Sequence, residues 1–388
     1  MIGPTNIGGR IVDIALDPQR RDALYVAAAS GELWRSTDAG LTYAPAWPGD
    51  QTQAMGAVAT APDGTVYAGT GETNPGGGSL TYMGTGMYKS TDGGRSWAHI
   101  GLRDSGAIGR IIVDPRDQRR LFVAASGSLF NPGGDRGVYR SDDAGATWRL
   151  VLDVPNSTTG ATEVMFDPSD PQRMFAVLWD HRRQPQQRTY SGLGSGVYRS
   201  DDGGNTWRRL DSLAPPAPDL GRIGLGIAPS DPDRLYAIVG RGLLSNNFFG
   251  GFYTSANGGD TWSRLPDNAA LASSQSSYAW WFAQVWVNPD NAAHAARRLT
   301  PPPNRTWGAS VPPVELKLPK CELAEHLRQL APEVRPERVA LARPEQRHRG
   351  DVRRPIDAHR HEPLRHAHSP SATPQRNVGV IRSATRNE

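Results

Sequence analysis

Apolar positions along the first 290 residues come in short runs of four to six, separated by polar turns rich in Gly, Pro, Asp and Ser. Ile14-Ala15-Leu16-Asp17-Pro18, Ile112-Val113-Asp114-Pro115 and Val164-Met165-Phe166-Asp167-Pro168 are copies of one pattern, and Ile227-Ala228-Pro229 and Val287-Asn288-Pro289 are variants. After the first three come a polar turn and a second apolar run: Leu24-Tyr25-Val26, Leu121-Phe122-Val123 and Met174-Phe175-Ala176. Runs of this length bounded by turn residues predict β-strands. No segment in this region sustains the 3.6-residue apolar period of a helix, so a parallel βαβ design is excluded.

A third and a fourth strand flank a motif, the box, that occurs five times. Ser-x-Asp-x-Gly-x-Thr-Trp starts at Ser36, Ser90, Ser141, Ser200 and Ser255, at spacings of 54, 51, 59 and 55 residues. The first copy ends in Tyr43, Ser96 replaces the Thr of the second, and Asn257 replaces the Asp of the fifth. Gly137-Val138-Tyr139-Arg140 before one copy and Arg149-Leu150-Val151-Leu152 after it make the box the turn of a hairpin. Short Ser, Thr and Asp side chains bond the backbone of their own turn, and the glycine supplies a positive φ. The tryptophan opens the return strand as a large packing surface, so Trp97, Trp148, Trp207 and Trp262 are expected to be mostly buried between repeats. The box is therefore a hairpin fastener rather than a functional site.

Four strands per repeat of about 55 residues are the blades of a β-propeller. The blades are predicted at 8–48, 55–101, 107–153, 161–211 and 221–266, and the first strand of a sixth opens near Tyr278. The fold class is thus all-β: five blades plus the first strand of a sixth, over residues 1–290.

Ser-x-Asp-x-Gly-x-Thr-Trp resembles the Asp-box, or bacterial neuraminidase repeat, of sialidases, xyloglucanase-type glycoside hydrolases and the sortilin ectodomain. The resemblance implies a propeller whose boxes lie away from the substrate site. It implies a carbohydrate-active protein of the glycoside-hydrolase type, with a non-catalytic, sortilin-like binder of a peptide or glycan as the alternative. Relatives of this kind are commonly exported, which implies a secreted or periplasmic protein, although no signal peptide precedes the first blade here.

Composition changes at residue 291. Residues 291–388 hold 3 of the 43 glycines, 13 of the 32 prolines, seven of the nine histidines, and 18 Lys and Arg against 10 Asp and Glu. The net charge of +4 is therefore a property of this tail, because residues 1–290 carry a net −4. The propeller itself gives no sign of a nucleic-acid partner. No apolar run of 18 residues exists to span a membrane, and Cys321 alone allows no internal disulfide. The tail is expected to be disordered, either as a natural extension or, as we favour, as a shifted reading frame, because the break falls inside blade six. His359-Arg360-His361-Glu362 lacks metal-ligand spacing, and no cofactor or metal is expected.

Candidate chemistry lies in the loops between strands. Glycoside hydrolysis needs two carboxyl groups on either side of one bond, and Glu72, Asp104 and Asp180 come from blades two, three and four. Glu72 sits in Gly69-Thr70-Gly71-Glu72-Thr73-Asn74, which resembles a loop of xyloglucanase-type propellers. Trp179, His181 and Arg182 beside Asp180 form a candidate sugar-contact set, and Trp280 and Trp281 a candidate aromatic platform or part of the blade-six core. Gly-Arg-Ile recurs at Arg10, Arg110 and Arg222, which invites comparison with the arginines that hold a sialidase substrate. Counted back from the Asp17, Asp114 and Ala228 positions, however, they lie 7, 4 and 6 residues upstream and are not equivalent under two-residue alternation.

Overall fold

The computed structural model describes residues 10–73, 82–183, 188–214, 216–242, 249–266, 283–293 and 295–297. Trp280, Trp281 and the expectations for the chain beyond residue 297 lie outside these. The described residues are all-β, and no helix among them is long and apolar enough to cross a membrane.

Five four-stranded antiparallel sheets follow one another, each a meander from an inner to an outer strand. Blade one is β1 (Ile11–Leu16), β2 (Leu24–Ala28), β3 (Leu33–Ser36) and β4 (Ala44–Pro45). Blade two is β5 (Met55–Thr60), β6 (Val66–Thr70), β7 (Met87–Ser90) and β8 (Ala98–Gly101). Blade three is β9 (Ile108–Asp114), β10 (Asp117–Ala125), β11 (Gly137–Ser141) and β12 (Arg149–Leu152). Blade four is β13 (Thr159–Phe166), β14 (Met174–Asp180), β17 (Gly196–Ser200) and β18 (Arg208–Arg209), with a two-stranded ribbon, β15 (Arg182–Arg183) and β16 (Arg188–Thr189), between its second and third strands. Blade five is β19 (Leu220–Ala228), β20 (Asp231–Arg241), β21 (Phe249–Ser255) and β22 (Ser263–Arg264).

The sixth sheet corrects the expected break. It has a second strand: β23 (Val285–Val287) pairs antiparallel with β24 (Ala295–Arg297), so pairing continues past residue 290. Main-chain hydrogen bonds ask little of side-chain identity, and Ala-Ala-Arg can supply a rung.

The cores lie between blades. In β10, Leu121, Val123 and Ala125 pack with blade two, whereas Phe122 and Ala124 pack with blade four. Both faces are covered, which explains why second strands read as unbroken apolar runs instead of alternating ones. Fully buried, Leu121, Phe122 and Val123 each contribute about 1.5–3 kcal/mol.

All five boxes share one set of bonds. In blade three the Ser141 hydroxyl donates to Asp143 Oδ1 (2.7 Å) and accepts from the Gly145 N–H (2.8 Å), while Asp143 accepts from the Thr147 hydroxyl (2.6 Å) and N–H (2.8 Å). Hydrogen bonds from Thr147, chiefly its hydroxyl, hold the Asp143 carboxyl down at about 2. The box tryptophans are mostly buried, as expected, with only part of each ring open to solvent. Each lays part of its ring on the core shared with the preceding blade, and the indole N–H groups of Trp97 and Trp148 donate across the junction to Ala46 (2.8 Å) and Ile100 (2.6 Å).

Inner strands approach one another by main chain. A β-carbon on Gly56 would lie 2.0 Å from the Ile108 carbonyl oxygen, and one on Gly109 would lie 2.3 Å from that of Thr162. Only glycine permits this contact.

Candidate ligand rim and central channel

A four-strand meander puts the first and third turns, the latter being the boxes, at one end of the blades. The second-to-third loops and the blade-to-blade connections gather at the other. Glu72, Asp104, Asp180, Trp179, His181 and Arg182 all belong to this second end, the rim, or the strand ends leading to it.

The structure gives these residues different roles. Glu72 is buried, and its carboxylate is paired with Arg10. Asp180 accepts from the Thr158 hydroxyl (2.7 Å), the Asn156 amide (3.0 Å) and the Gly194 N–H (3.3 Å), so it organises its own loops. Asp104 is exposed, and its main chain is clasped to Asp135, N–H to Oδ2 at 3.1 Å and carbonyl to N–H at 3.1 Å. Among the described residues, no two of the three carboxylates share a hydrogen-bonding partner. Trp179 is wholly buried: its indole N–H donates to the Tyr190 carbonyl (2.9 Å), and His181 stacks on it at 4.0 Å and 9°. A ring enclosed in this way presents no face to a sugar. His181 is also buried, and burial pulls its pKa down to about 3, so the imidazole is neutral near pH 7. Arg182 lies in the β15–β16 ribbon, half-buried.

The inner strands enclose a polar channel with room for about one water molecule, a cavity of ≈10 Å³. Val12, Gly56, Gly109, Thr162, Arg222 and Gln284, one from each blade, contribute to its wall, together with Thr73, Arg110 and Glu163. Asp13 accepts from Arg110 Nη1 (3.1 Å) and the Val58 N–H (3.1 Å), joining blades one, two and three. Glu163 accepts from the Leu225 N–H (3.3 Å), and Arg222 donates to the Thr73 carbonyl (3.2 Å) and stands 5.4 Å over the Trp179 ring. Burial raises the Asp13 and Glu163 carboxyls, opposed chiefly by Arg110 and Arg222 respectively. Burial likewise lowers the Arg222 guanidinium to about 10. This is a charge-compensated plug that binds blades to one another, and it is too small for a sugar.

Sequence reasoning missed Asp13, Glu163 and Arg136. The first two had a visible signal, a lone carboxylate inside an inner-strand run such as Ile11-Val12-Asp13-Ile14. Arg136 had none. It is buried and donates to the carbonyls of Gly133 (2.7 Å), Ser126 (2.9 Å), Asn131 (2.9 Å), Ser128 (2.5 Å) and Thr158 (3.2 Å), tying the blade-three loop to blade four.

Of the three Gly-Arg-Ile arginines, Arg110 and Arg222 line the same cavity, and Arg10 is not among its lining residues. Arg10 pairs with Glu72, Arg110 with Asp13, and Arg222 with the Glu163 side of the channel. Counting by two also fails here, because each of the first four inner strands bulges at the same rung, between Ile11 and Asp13, Met55 and Ala57, Ile108 and Arg110, and Ala161 and Glu163. One inserted residue reverses the facing of every later residue in its strand.

Besides polar residues such as Arg103, Asp104 and Asn131, the rim leaves three large apolar side chains open. Tyr82, Phe130 and Leu193, one from each second-to-third loop of blades two, three and four, are 49, 39 and 57 % exposed.

No family model matches the chain. Over 226 residues it is 28% identical to a xyloglucanase of a Paenibacillus species, covering 52% of this chain and 21% of that protein. Over 241 residues it is 26% identical to a xyloglucanase of Acetivibrio thermocellus, covering 53% of this chain and 26% of that one. A vacuolar protein sorting/targeting protein 10 from Sordaria macrospora is 33% identical over 114 residues, 29% of this chain and 6% of its own length. Among solved structures, the GH74 xyloglucanase of Xanthomonas campestris superposes with a TM-score of 0.55 at 20% identity, over 75% of this chain and 44% of that one. The fold is that of the xyloglucanase propellers. The chain spans about a quarter of the length of the xyloglucanases it matches in sequence.

Proposed function

We propose that this chain is the glycan-binding part of a larger carbohydrate-active, Asp-box propeller of the glycoside-hydrolase type, taking an oligosaccharide of the xyloglucan class on its rim. The observation that carries this reading is the set of exposed side chains Tyr82, Phe130 and Leu193 on three successive loops. Rings on a rigid scaffold offer flat apolar contact to sugar C–H faces at low entropic cost. The xyloglucanase relatives supply the ligand class. Binding is favoured over hydrolysis within this chain because Glu72 is neutralised by Arg10 and Asp180 is spent on its loops. Asp104 alone keeps an exposed carboxylate of the expected three, and the reaction needs a pair. Further blades are part of the proposal: Ile11 and Ile14 of blade one and Trp286 of blade six stand 48, 36 and 49 % exposed. Translating the other two frames downstream of Asn291 is expected to reveal a strand followed by another box, and finding none in either frame refutes the longer parent.

Calorimetric titration with a xyloglucan oligosaccharide tests the binding. Tyr82→Ala with Phe130→Ala is expected to weaken it at least tenfold, with no change in melting temperature beyond a few degrees. No binding, or binding indifferent to both substitutions, removes the rim reading. Release of reducing sugar that disappears in Asp104→Asn would reinstate hydrolysis.

A further inference from the structure

At the box end of blades one to four, the residue before the box serine is a long cation, and in blades two to four it reaches for the next box. Lys89 Nζ donates to the Ala144 carbonyl (3.3 Å), Arg140 Nη1 to Asn205 Oδ1 (2.9 Å) and Arg199 Nη1 to the Gly258 carbonyl (3.0 Å). The two arginines are also held by a carboxylate that follows the serine, Arg140 by Asp142 (2.7 Å) and Arg199 by Asp201 (2.7 Å).

Arg35 occupies the same place in blade one, but there the box reads Ser36-Thr37-Asp38, and no carboxylate follows the serine. Its guanidinium stands 5.5 Å over the Tyr25 ring and against Gly93 of the next box, where a β-carbon would lie 2.9 Å from Nη1. Among the described residues it pairs with no carboxylate, and its Nε is buried without an acceptor. The nearby Asp38 and Asp92 carboxylates are taken up by the Ser and Thr or Ser groups of their own boxes. A groove of about 500 Å³ opens beside Arg35, walled by Tyr43, Pro45, Trp47, Pro48 and Arg95 among others. That volume suits a small molecule.

We propose that this groove binds a small organic carboxylate carried on a ring, whose anionic group takes on Arg35 the place that Asp142 and Asp201 hold on Arg140 and Arg199. A guanidinium meets a carboxylate through two parallel hydrogen bonds. Tyr43, Trp47 and the two prolines give the ring an apolar wall. Arg95, whose Nε donates to the Asp92 carbonyl (2.9 Å), adds a second positive charge. The site lies at the opposite end of the blades from the rim and is independent of the glycan reading.

The test titrates the whole chain with benzoate, glucuronate, acetate and inorganic phosphate, read by calorimetry and by tryptophan fluorescence from the Trp47 wall. Benzoate or glucuronate is expected to bind at least fivefold more tightly than acetate or phosphate. Arg35→Met is expected to weaken binding at least tenfold. Thr37→Asp supplies the missing internal carboxylate, so it is expected to abolish binding while raising the melting temperature, which separates loss of the site from loss of the fold. No binding at 10 mM (on the order of the weakest useful affinity), a Thr37→Asp variant that binds as wild type, or phosphate binding as tightly as the ring carboxylates would each overturn the proposal.

Discussion

Ser141→Ala puts the box to a direct test. The Ser141 side chain is 1% exposed, and its hydroxyl is the acceptor for the Gly145 N–H at 2.8 Å and the donor to Asp143 Oδ1 at 2.7 Å. Alanine removes both bonds, together with the one the Asp143 N–H donates to the hydroxyl at 3.3 Å, and leaves the Gly145 N–H in a buried site that water does not reach. A buried donor without an acceptor costs about 1–3 kcal/mol. For a propeller of roughly 290 residues, at about 2.1 cal/mol/K of unfolding entropy per residue, each kcal/mol moves the melting temperature by about 1.6 °C, so a fall of about 2–5 °C is expected. Asp143 keeps its two bonds from Thr147, so the loss falls on the first half of the turn. Urea unfolding followed by tryptophan fluorescence separates this from a change in compactness, because the slope m should stay constant while the midpoint falls. Ser157→Ala, on an exposed loop, is the control. If Ser141→Ala lies within about 0.5 kcal/mol of wild type, as ordinary surface substitutions do, the box is not a fastener.

Asp143→Asn should behave as blade five already does, where Asn257 accepts from the Thr261 N–H (2.9 Å) and its amide donates to the Thr261 hydroxyl (2.9 Å). Because the folded-state pKa of Asp143 is depressed to about 2, its contribution is present above the unfolded value near 4 and is lost as pH falls toward 2. The stability gap between wild type and Asp143→Asn, measured by denaturant titration, should therefore shrink between pH 5 and about pH 2; a gap that widens on acidification contradicts this. Gly109→Ala drives a β-carbon to 2.3 Å from the Thr162 carbonyl oxygen, a main-chain atom that cannot swing aside. A loss at or above the top of the about 1–3 kcal/mol range for overpacking is expected in thermal melts, against no change for Gly49→Ala, which meets nothing within 4 Å. A Gly109→Ala variant as stable as wild type would mean that the inner strands are not in main-chain contact.

The chain's own pattern determined the repeats, the strands and the boxes, because those rest on local interactions. A Ser, an Asp and a Thr within seven residues close the same turn wherever it falls, and Gly145 at φ +89° follows from that turn alone. The unbroken runs of the second strands likewise announce two covered faces, as Phe122 and Val123 illustrate by packing on opposite neighbours. The site was less legible. Trp179, His181 and Asp180 read as a sugar-contact set because aromatic, cationic and acidic residues adjoin in sequence, whereas the fold buries the ring and imidazole and turns the carboxylate to its loops. Whether such a group faces a ligand or its own loop depends on bonds to Tyr190, Asn156 and Gly194, which no local pattern reports. The channel was hidden for a related reason. Asp13 and Arg110 are 97 residues apart and meet only because three inner strands converge, each with a bulge that defeats counting by two. Local hydrogen bonding is written in neighbouring residues, but convergence on a common axis is decided by how the blades pack, and that packing put Arg110, Glu163 and Arg222 around a single cavity, with Asp13 bonded to Arg110.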